Sequence, residues 1–375
     1  MKKVATINGV DVFSDKNVSS IQDTKINFSD GSWCDINTNE VVNEGKGSIS
    51  IGNKGKKSSS KKITKPAQTF KASKLELETL TANIIVEVEK RSDIEVIIEG
   101  TESELKDISL KEISGILKIS GKSNNTSNSQ TIIKGNLFSS FVSNFFGNSN
   151  VISSGDISVS INNNSSSITI NDKGAASKII IKVPMYTPIK AKSITGSVLL
   201  GDTEGNIDIS NSGSTSYNIG KITNTKIQSQ GDGNIDIKSI TGSLNVHSIG
   251  DGEITIEKGN IKNLDISCKG DGGFSFDGEV GSTSISSNGD SDIDIKSING
   301  NLNITSIGDG EITIEKGSIK NLNISYKGDG IFSFDGKVEN ASISSNGDSD
   351  IDINYVKNKP SIYKKGDGDI NIGNW

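Results

Sequence analysis

The sequence predicts an all-β chain: a right-handed parallel β-solenoid with 19- to 20-residue coils, preceded by a small N-terminal β module. Three observations lead there. A Gly-Asp turn followed by an apolar-polar-apolar triplet comes round eight times, at Gly231, Gly250, Gly270, Gly289, Gly308, Gly328, Gly347 and Gly366, in steps of 19 or 20 residues. Apolar residues recur at fixed offsets from the leading glycine, so stacked coils put like on like. The composition, with 41 glycines and four prolines among 375 residues, 32% hydrophobic and 5% aromatic, suits a thin stacked core better than a compact α/β enzyme.

Residues 1–52 read as the β module, because ATINGVDV, KINFSDGSWCDI, EVV and GSISIG are short alternating runs separated by Asn-Gly, Asp-Gly and Gly-Lys-Gly turns. Trp33 is expected to anchor its core, since so small a module has few other large residues to bury. Residues 53–65 follow as a linker with six lysines, no acid and no interleaved aromatic residue.

From residue 66 to 200 the pattern is an irregular β region that opens the solenoid. Its strands are LELETL, NIIVEVEK, DIEVIIEG, ISLKEI and GILKIS. A loop insertion at 121–155 is rich in Asn, Ser and Gly. Inside it, Leu137, Phe138, Phe141, Val142, Phe145 and Phe146 recur at the spacings of one face of a short helix. Such a helix would cap the open end of the solenoid or dock a partner, and these six residues are the partner-binding or cap candidates.

The regular solenoid occupies 201–375. Ile235, Ile254, Phe274, Ile293, Ile312, Phe332, Ile351 and Ile370 form one predicted column, and Ile237, Ile256, Phe276, Ile295, Ile314, Phe334, Ile353 and Ile372 its neighbour. A second strand per coil shows in pairs such as Leu244 and Val246 or Leu302 and Ile304. Period-two alternation sends these inward and the intervening Asp, Asn, Ser, Thr and Lys outward. Right-handed winding follows from the bias of parallel crossovers. Residues 231–288 and 289–346 align without gaps over 58 positions and differ at 14, so three coils are duplicated as a unit. His247 faces Thr305 and Cys268 faces Tyr326 across the duplication. Trp375 is a further cap candidate, for the C-terminal edge.

Several of these pieces together resemble the bacterial putative-adhesin domains of unknown function that include the head GIN proteins. They are Leu75 to Leu77, Val86 to Val96, Gly115 to Ile119, Lys178 to Pro184, Gly196 to Leu199 and Gly205 to Ile209, joined to the Gly-Asp repeat. The resemblance spans roughly residues 66–375. It implies a β-solenoid and an adhesin-like binding role.

The residues carry little that points to catalysis. One histidine, one arginine (Arg91), no zinc spacing, no nucleophile elbow and no phosphate loop leave no catalytic candidate and imply no cofactor. The aspartate column, Asp232 to Asp367, would repel itself by roughly 1 kcal/mol per neighbour in water at about 4.8 Å. Side-chain hydrogen bonds to the turn's own N–H groups would offset that. In a calcium-binding nonapeptide repeat the ligand position counted from Gly233 would be Ile235, a core residue. Looser cation binding has its candidates in Asp290, Asp292 and Asp294 and the copies Asp348, Asp350 and Asp352.

A formal net charge of −6 makes no case for nucleic acid, and membrane contact is not expected. Two cysteines, Cys34 and Cys268, make no disulfide framework. The start MKKVATINGVDV contains no signal-peptide core, which predicts a cytoplasmic chain, with surface exposure by non-standard export as the alternative. The function expected is a non-enzymatic, adhesin-like solenoid presenting repeated polar surfaces to a protein or glycan. The alternatives are a cytosolic scaffold that self-associates through solenoid ends and a calcium-binding acidic repeat protein.

Overall fold

The structure, a computed structural model, describes residues 2–7, 10–22, 25–35, 40–42, 49–52, 62–121, 129–134, 151–154, 157–162, 165–172, 177–213 and 215–374. Leu137, Phe138, Phe141, Val142, Phe145, Phe146 and Trp375 lie outside the described residues. The chain forms two compact units, residues 1–61 and 62–375.

The first unit has two small sheets. Lys2–Ile7, Val10–Ser14 and Ile49–Gly52 make a three-stranded sheet; Val18–Gln22, Lys25–Phe28, Trp33–Asp35 and Glu40–Val42 make an antiparallel meander. Its core is Val12, Ile26, Phe28 and Cys34. Trp33 is therefore not the anchor. Alternation along Trp33–Asp35 turns Cys34 inward, and the half-buried indole instead carries the Lys25 ammonium 3.7 Å from its ring centroid.

The second unit is a β-solenoid of about ten turns of roughly 19 residues. Two ribbons of parallel strands run along it. In ribbon A, Asn83–Val88 pairs with Ser197–Leu200, and in-register pairing then passes through Tyr217, Ile235, Ile254, Phe274, Ile293, Ile312, Phe332 and Ile351 to Ile370. Ribbon B runs from Lys74–Thr81 through Ile189–Thr195, Ile207–Asn211 and Thr225–Gln230 to Ser361–Lys365. The two predicted Ile/Phe columns pair in register and are buried in one continuous core up to Ile353, and Ile370 and Ile372 pack half-buried against it.

The opening coils are not in chain order. Strands Ile94–Gly100 and Ser109–Ile113 run antiparallel to Lys178–Val183 and Ile116–Ser120, so each ribbon starts on a reversed strand. One short helix, Glu102–Lys106, joins them. Its N-cap Thr101 accepts from the Glu104 N–H at 3.5 Å while the Glu104 carboxylate accepts from the Thr101 N–H at 2.8 Å.

A third apolar column, unrecognised in the sequence, lies at the corner between the ribbons: Ile222, Ile240, Ile261, Val280, Ile298, Ile319, Val338 and Val356, all buried. Ile240 lies nine residues after Gly231, Ile261 eleven after Gly250 and Val280 ten after Gly270. The coils absorb their variable length here, as the register shifts after Gly242, Phe276, Ile314 and Phe334 record. A column at drifting offsets does not show as a period.

The insertion expected to be a loop carries strands where it is described. Ser129–Lys134 and Val151–Ser154 join Ile157–Asn162 and Ser165–Asp172 in a four-stranded antiparallel sheet. The segments VISS, ISVSI and SSSITI alternate β-branched with small polar residues, and that period-two pattern outweighs the loop-forming composition.

Candidate binding faces

The outside of the solenoid is a set of polar ladders, because every coil repeats its neighbour one strand spacing away. At the Gly-Asp corner the glycines stack backbone on backbone. A Cβ added at Gly308, where φ is +141°, would lie 2.4 Å from the Gly289 carbonyl oxygen. Only glycine allows this approach.

The aspartates beside them are held across coils. The N–H of Asp309 donates to Asp290 Oδ1 at 3.4 Å, Asp329 to Asp309 at 3.2 Å, Asp348 to Asp329 at 3.3 Å and Asp367 to Asp348 at 2.9 Å. The expected donors were the N–H groups of each residue's own turn; the geometry instead gives each carboxylate the next coil's. A hydrogen bond to a charged group contributes about 1.5 kcal/mol or more, which offsets the roughly 1 kcal/mol repulsion between neighbours. The column is thereby a structural device.

The same bonds occupy the candidate cation ligands. Asp292 Oδ1 accepts from the Glu311 N–H at 3.0 Å, Asp350 Oδ1 from the Asp369 N–H at 2.8 Å, and Asp352 Oδ1 from Asn371 Nδ2 at 2.9 Å. Among the described residues no group of three or more acidic, histidine or cysteine side chains is arranged to hold a metal ion.

Asp294 faces outward from ribbon A in a shallow depression of about 360 Å³ with Asp277, Lys296, Thr313 and Glu315. Partial burial pushes its carboxyl above the usual aspartate range, and the charges of Glu311, Asp292 and Glu315 add to the effect. Lys296 pairs with Asp277, and that hydrogen bond raises the lysine.

A larger groove, about 460 Å³, crosses four coils at the start of ribbon B's regular part. Asp208, Lys226, Asn245 and Asp265 stand in one row across it and Asn206, Asn224, Ser243 and Asn263 line it alongside, with Ile207 and Leu244 in its floor. Asn224 Oδ1 accepts from the Ser243 N–H at 3.0 Å, and Asn245 Nδ2 donates to Asp265 Oδ2 at 3.0 Å. These bonds fix the amides. Lys190 lies 3.7 Å from Asp208. Fixed amides, carboxylates and a lysine suit a ligand with many hydroxyl or amide groups. The sequence did not single this groove out, because its residues come from four coils and none is unusual in its own.

His247, the only histidine, stands on the outer row of ribbon B beside Gln228 and Ser267. Cys268 and Tyr326 are both buried, in an inward row with Ser229, Ser248, Ser287, Ser306 and Ser345.

Residues 282–374 match the family model described as "Putative auto-transporter adhesin, head GIN domain". The last coils thus match the family that the chain's strand motifs resemble. The chain is similar to a solved putative adhesin from Bacteroides fragilis, at 18% identity and TM-score 0.39 over 84% of this chain and 98% of that one. It is also similar to a putative adhesin from Parabacteroides distasonis, at 10% identity and TM-score 0.40 over 84% and 98%. A putative lipid binding protein from Parabacteroides distasonis follows at 16% identity and TM-score 0.37 over 82% and 96%. No curated protein matches the chain.

Proposed function

We propose that the chain is a non-enzymatic, adhesin-like rod of the cell surface that holds a glycan through the groove on ribbon B. The match of residues 282–374 to an auto-transporter adhesin family carries this reading, and it favours the surface over the cytoplasmic location that the first residues suggested. Among the described residues no helix is long and apolar enough to cross a membrane. The rod's mechanism is display, in which stacked coils hold amides and carboxylates at a fixed spacing so that weak contacts add along a polymer.

The scaffold alternative has one observation behind it. Ser361–Lys365, the last strand of ribbon B, is exposed throughout, and Ile362 continues an inward row without cover. However, Lys364 stands in register with inward Ser345, so another coil stacked there would bury its ammonium. End-to-end association is disfavoured for that reason.

The test is binding of purified full-length chain to a panel of immobilised surface polysaccharides, alongside Lys226→Ala and Asn245→Ala. These side chains face outward, so folding is retained. Specific binding to at least one polysaccharide, weakened tenfold or more by either substitution, is expected. Binding unaffected by both substitutions would remove the groove from the reading, and no binding to any polysaccharide would remove the glycan.

A further inference from the structure

The inside of the solenoid carries polar groups that its packing leaves unanswered. Among the described residues eight buried side-chain polar atoms lack a hydrogen-bond partner. Five of them, Asn211 Oδ1 and the hydroxyls of Ser229, Ser248, Ser287 and Ser345, stand in one inward line. Asn211 precedes the serine row in register with Ser229, Ser229 is in register with Ser248, and Ser248 with Cys268. Asn211 and Ser229 are 2% exposed and Ser248 6%, so bulk solvent does not reach them. A buried hydroxyl without a partner bears its full desolvation penalty, and a line of them concentrates that penalty at one corner of the coil.

The spacing of the line indicates what answers it. Strands of successive coils lie about 4.8 Å apart, so two oxygens in register are too distant for a direct bond of about 2.8 Å. A single oxygen placed about 2.8 Å from each closes that gap at an angle of about 118°, near the tetrahedral geometry of water. The bridging molecule must be small, and it must both donate and accept, because it meets an amide oxygen and hydroxyls. Water has these properties, and buried polar groups are commonly bridged by it.

Tyr326 shows that the corner has room. It holds the equivalent place in its own coil, is 1% exposed, and donates its hydroxyl to the Ile331 carbonyl at 3.2 Å. Its ring lies against Gly330, where an added Cβ would come 3.2 Å from Tyr326 Cε1. The Ser229 and Ser248 coils have a buried glycine at the same corner position, Gly233 and Gly252, and only a serine hydroxyl where Tyr326 places a ring. In the Ser287 and Ser345 coils that glycine is replaced by Ser291 and Ser349, whose hydroxyls donate to the Gly270 and Gly328 carbonyls and take up part of the space. We propose that Asn211, Ser229 and Ser248 bind a file of ordered water inside the Gly-Asp corner, one molecule between each successive pair. Cys268, a weak donor and acceptor, ends the file beyond Ser248. Thr283 marks the contrast. Its hydroxyl is also unpartnered among the described residues, but it stands between Leu264 and Leu302, where a water would face leucine on either side.

The experiment counts long-lived water in the purified full-length chain by oxygen-17 magnetic relaxation dispersion, for wild type and for Ser229→Ala, the member that both waters share. The long-lived contribution should fall by about two molecules in the variant. An unchanged contribution would overturn the file. Urea unfolding reads the same question through its sign. A hydroxyl bonded to water stabilises the coil, so Ser229→Ala should lower the urea midpoint, whereas Thr283→Val should raise it. A raised midpoint for Ser229→Ala would show that its hydroxyl is dry and would sink the proposal.

Discussion

Replacing Gly308 by alanine tests the stacking at the Gly-Asp corner. The added Cβ would lie 2.4 Å from the Gly289 oxygen and 2.8 Å from its carbonyl carbon, both backbone atoms that no side-chain rotation can move. To reach a tolerable contact of about 3.0–3.4 Å the two turns must part by roughly 0.6–1.0 Å. One backbone bond spans this corner, from the Gly289 N–H to the Ile307 carbonyl at 3.0 Å. Opened by that much, it leaves hydrogen-bonding range, at about 1 kcal/mol. The backbone angle of +141° adds about 1–3 kcal/mol of strain for a residue with a side chain. The sum is about 2–4 kcal/mol. Gly213→Ala is the internal control, since a Cβ there meets nothing within 4 Å. Urea unfolding followed by circular dichroism should separate the two by more than about 1 kcal/mol, Gly213→Ala costing well under 1 kcal/mol. If Gly308→Ala falls within about 1 kcal/mol of the control, the corner yields more readily than a close-packed backbone column allows, and the argument for glycine there fails.

Two further substitutions probe groups the coil geometry leaves uncomfortable. Asp294→Asn should stabilise the chain at neutral pH, because burial and the charges of Glu311, Asp292 and Glu315 raise the carboxyl above 3.8, and a raised acid opposes folding once it ionises. The gain should be complete above the raised value and fade as pH falls through 3.8, below which wild type is protonated in both states; thermal melts showing equal gains at both ends would refute it. Thr283→Val should stabilise by about 1 kcal/mol, because the Thr283 hydroxyl is buried with no partner among the described residues and valine keeps its shape. A loss of stability on urea unfolding would mean that this oxygen is bonded after all.

The sequence shows those parts of the fold that repeat at constant offset. The Ile/Phe columns and the Gly-Asp corner lie on the rigid side of each coil, where one residue always faces its equivalent. The corner column through Ile240, Ile261 and Val280 does not, because the twentieth residue of the longer coils is taken up beside it. Trp33 misled for a different reason. Size alone suggested an anchor, but strand alternation gave the inward place to Cys34. The groove on ribbon B and the apolar outer row that opens ribbon A were illegible because each is assembled across coils from residues ordinary in their own strand. Ile85 reads as one more apolar residue in NIIVEV; only pairing with Ile180 and Leu199 shows an apolar outer row.

The duplication shows how much freedom the inside of the coil retains. Cys268 and Tyr326 occupy equivalent positions and both are buried, so this exchange falls inside the coil. The inward row they share is otherwise serine, and the hydroxyls of Ser229, Ser248, Ser287 and Ser345 lack partners among the described residues. A row of small residues next to a glycine corner leaves room that a phenol can enter, and Tyr326 uses it by donating its hydroxyl to the Ile331 carbonyl at 3.2 Å. The Ile and Phe columns are the same in both copies, each member packed against large apolar neighbours above and below. Differences between the two copies thus fall mostly on the outer rows, with Cys268/Tyr326, Val246/Ile304 and Thr283/Ala341 among the inward exceptions, while the Ile and Phe columns and the leading Gly-Asp pair of each corner are unchanged.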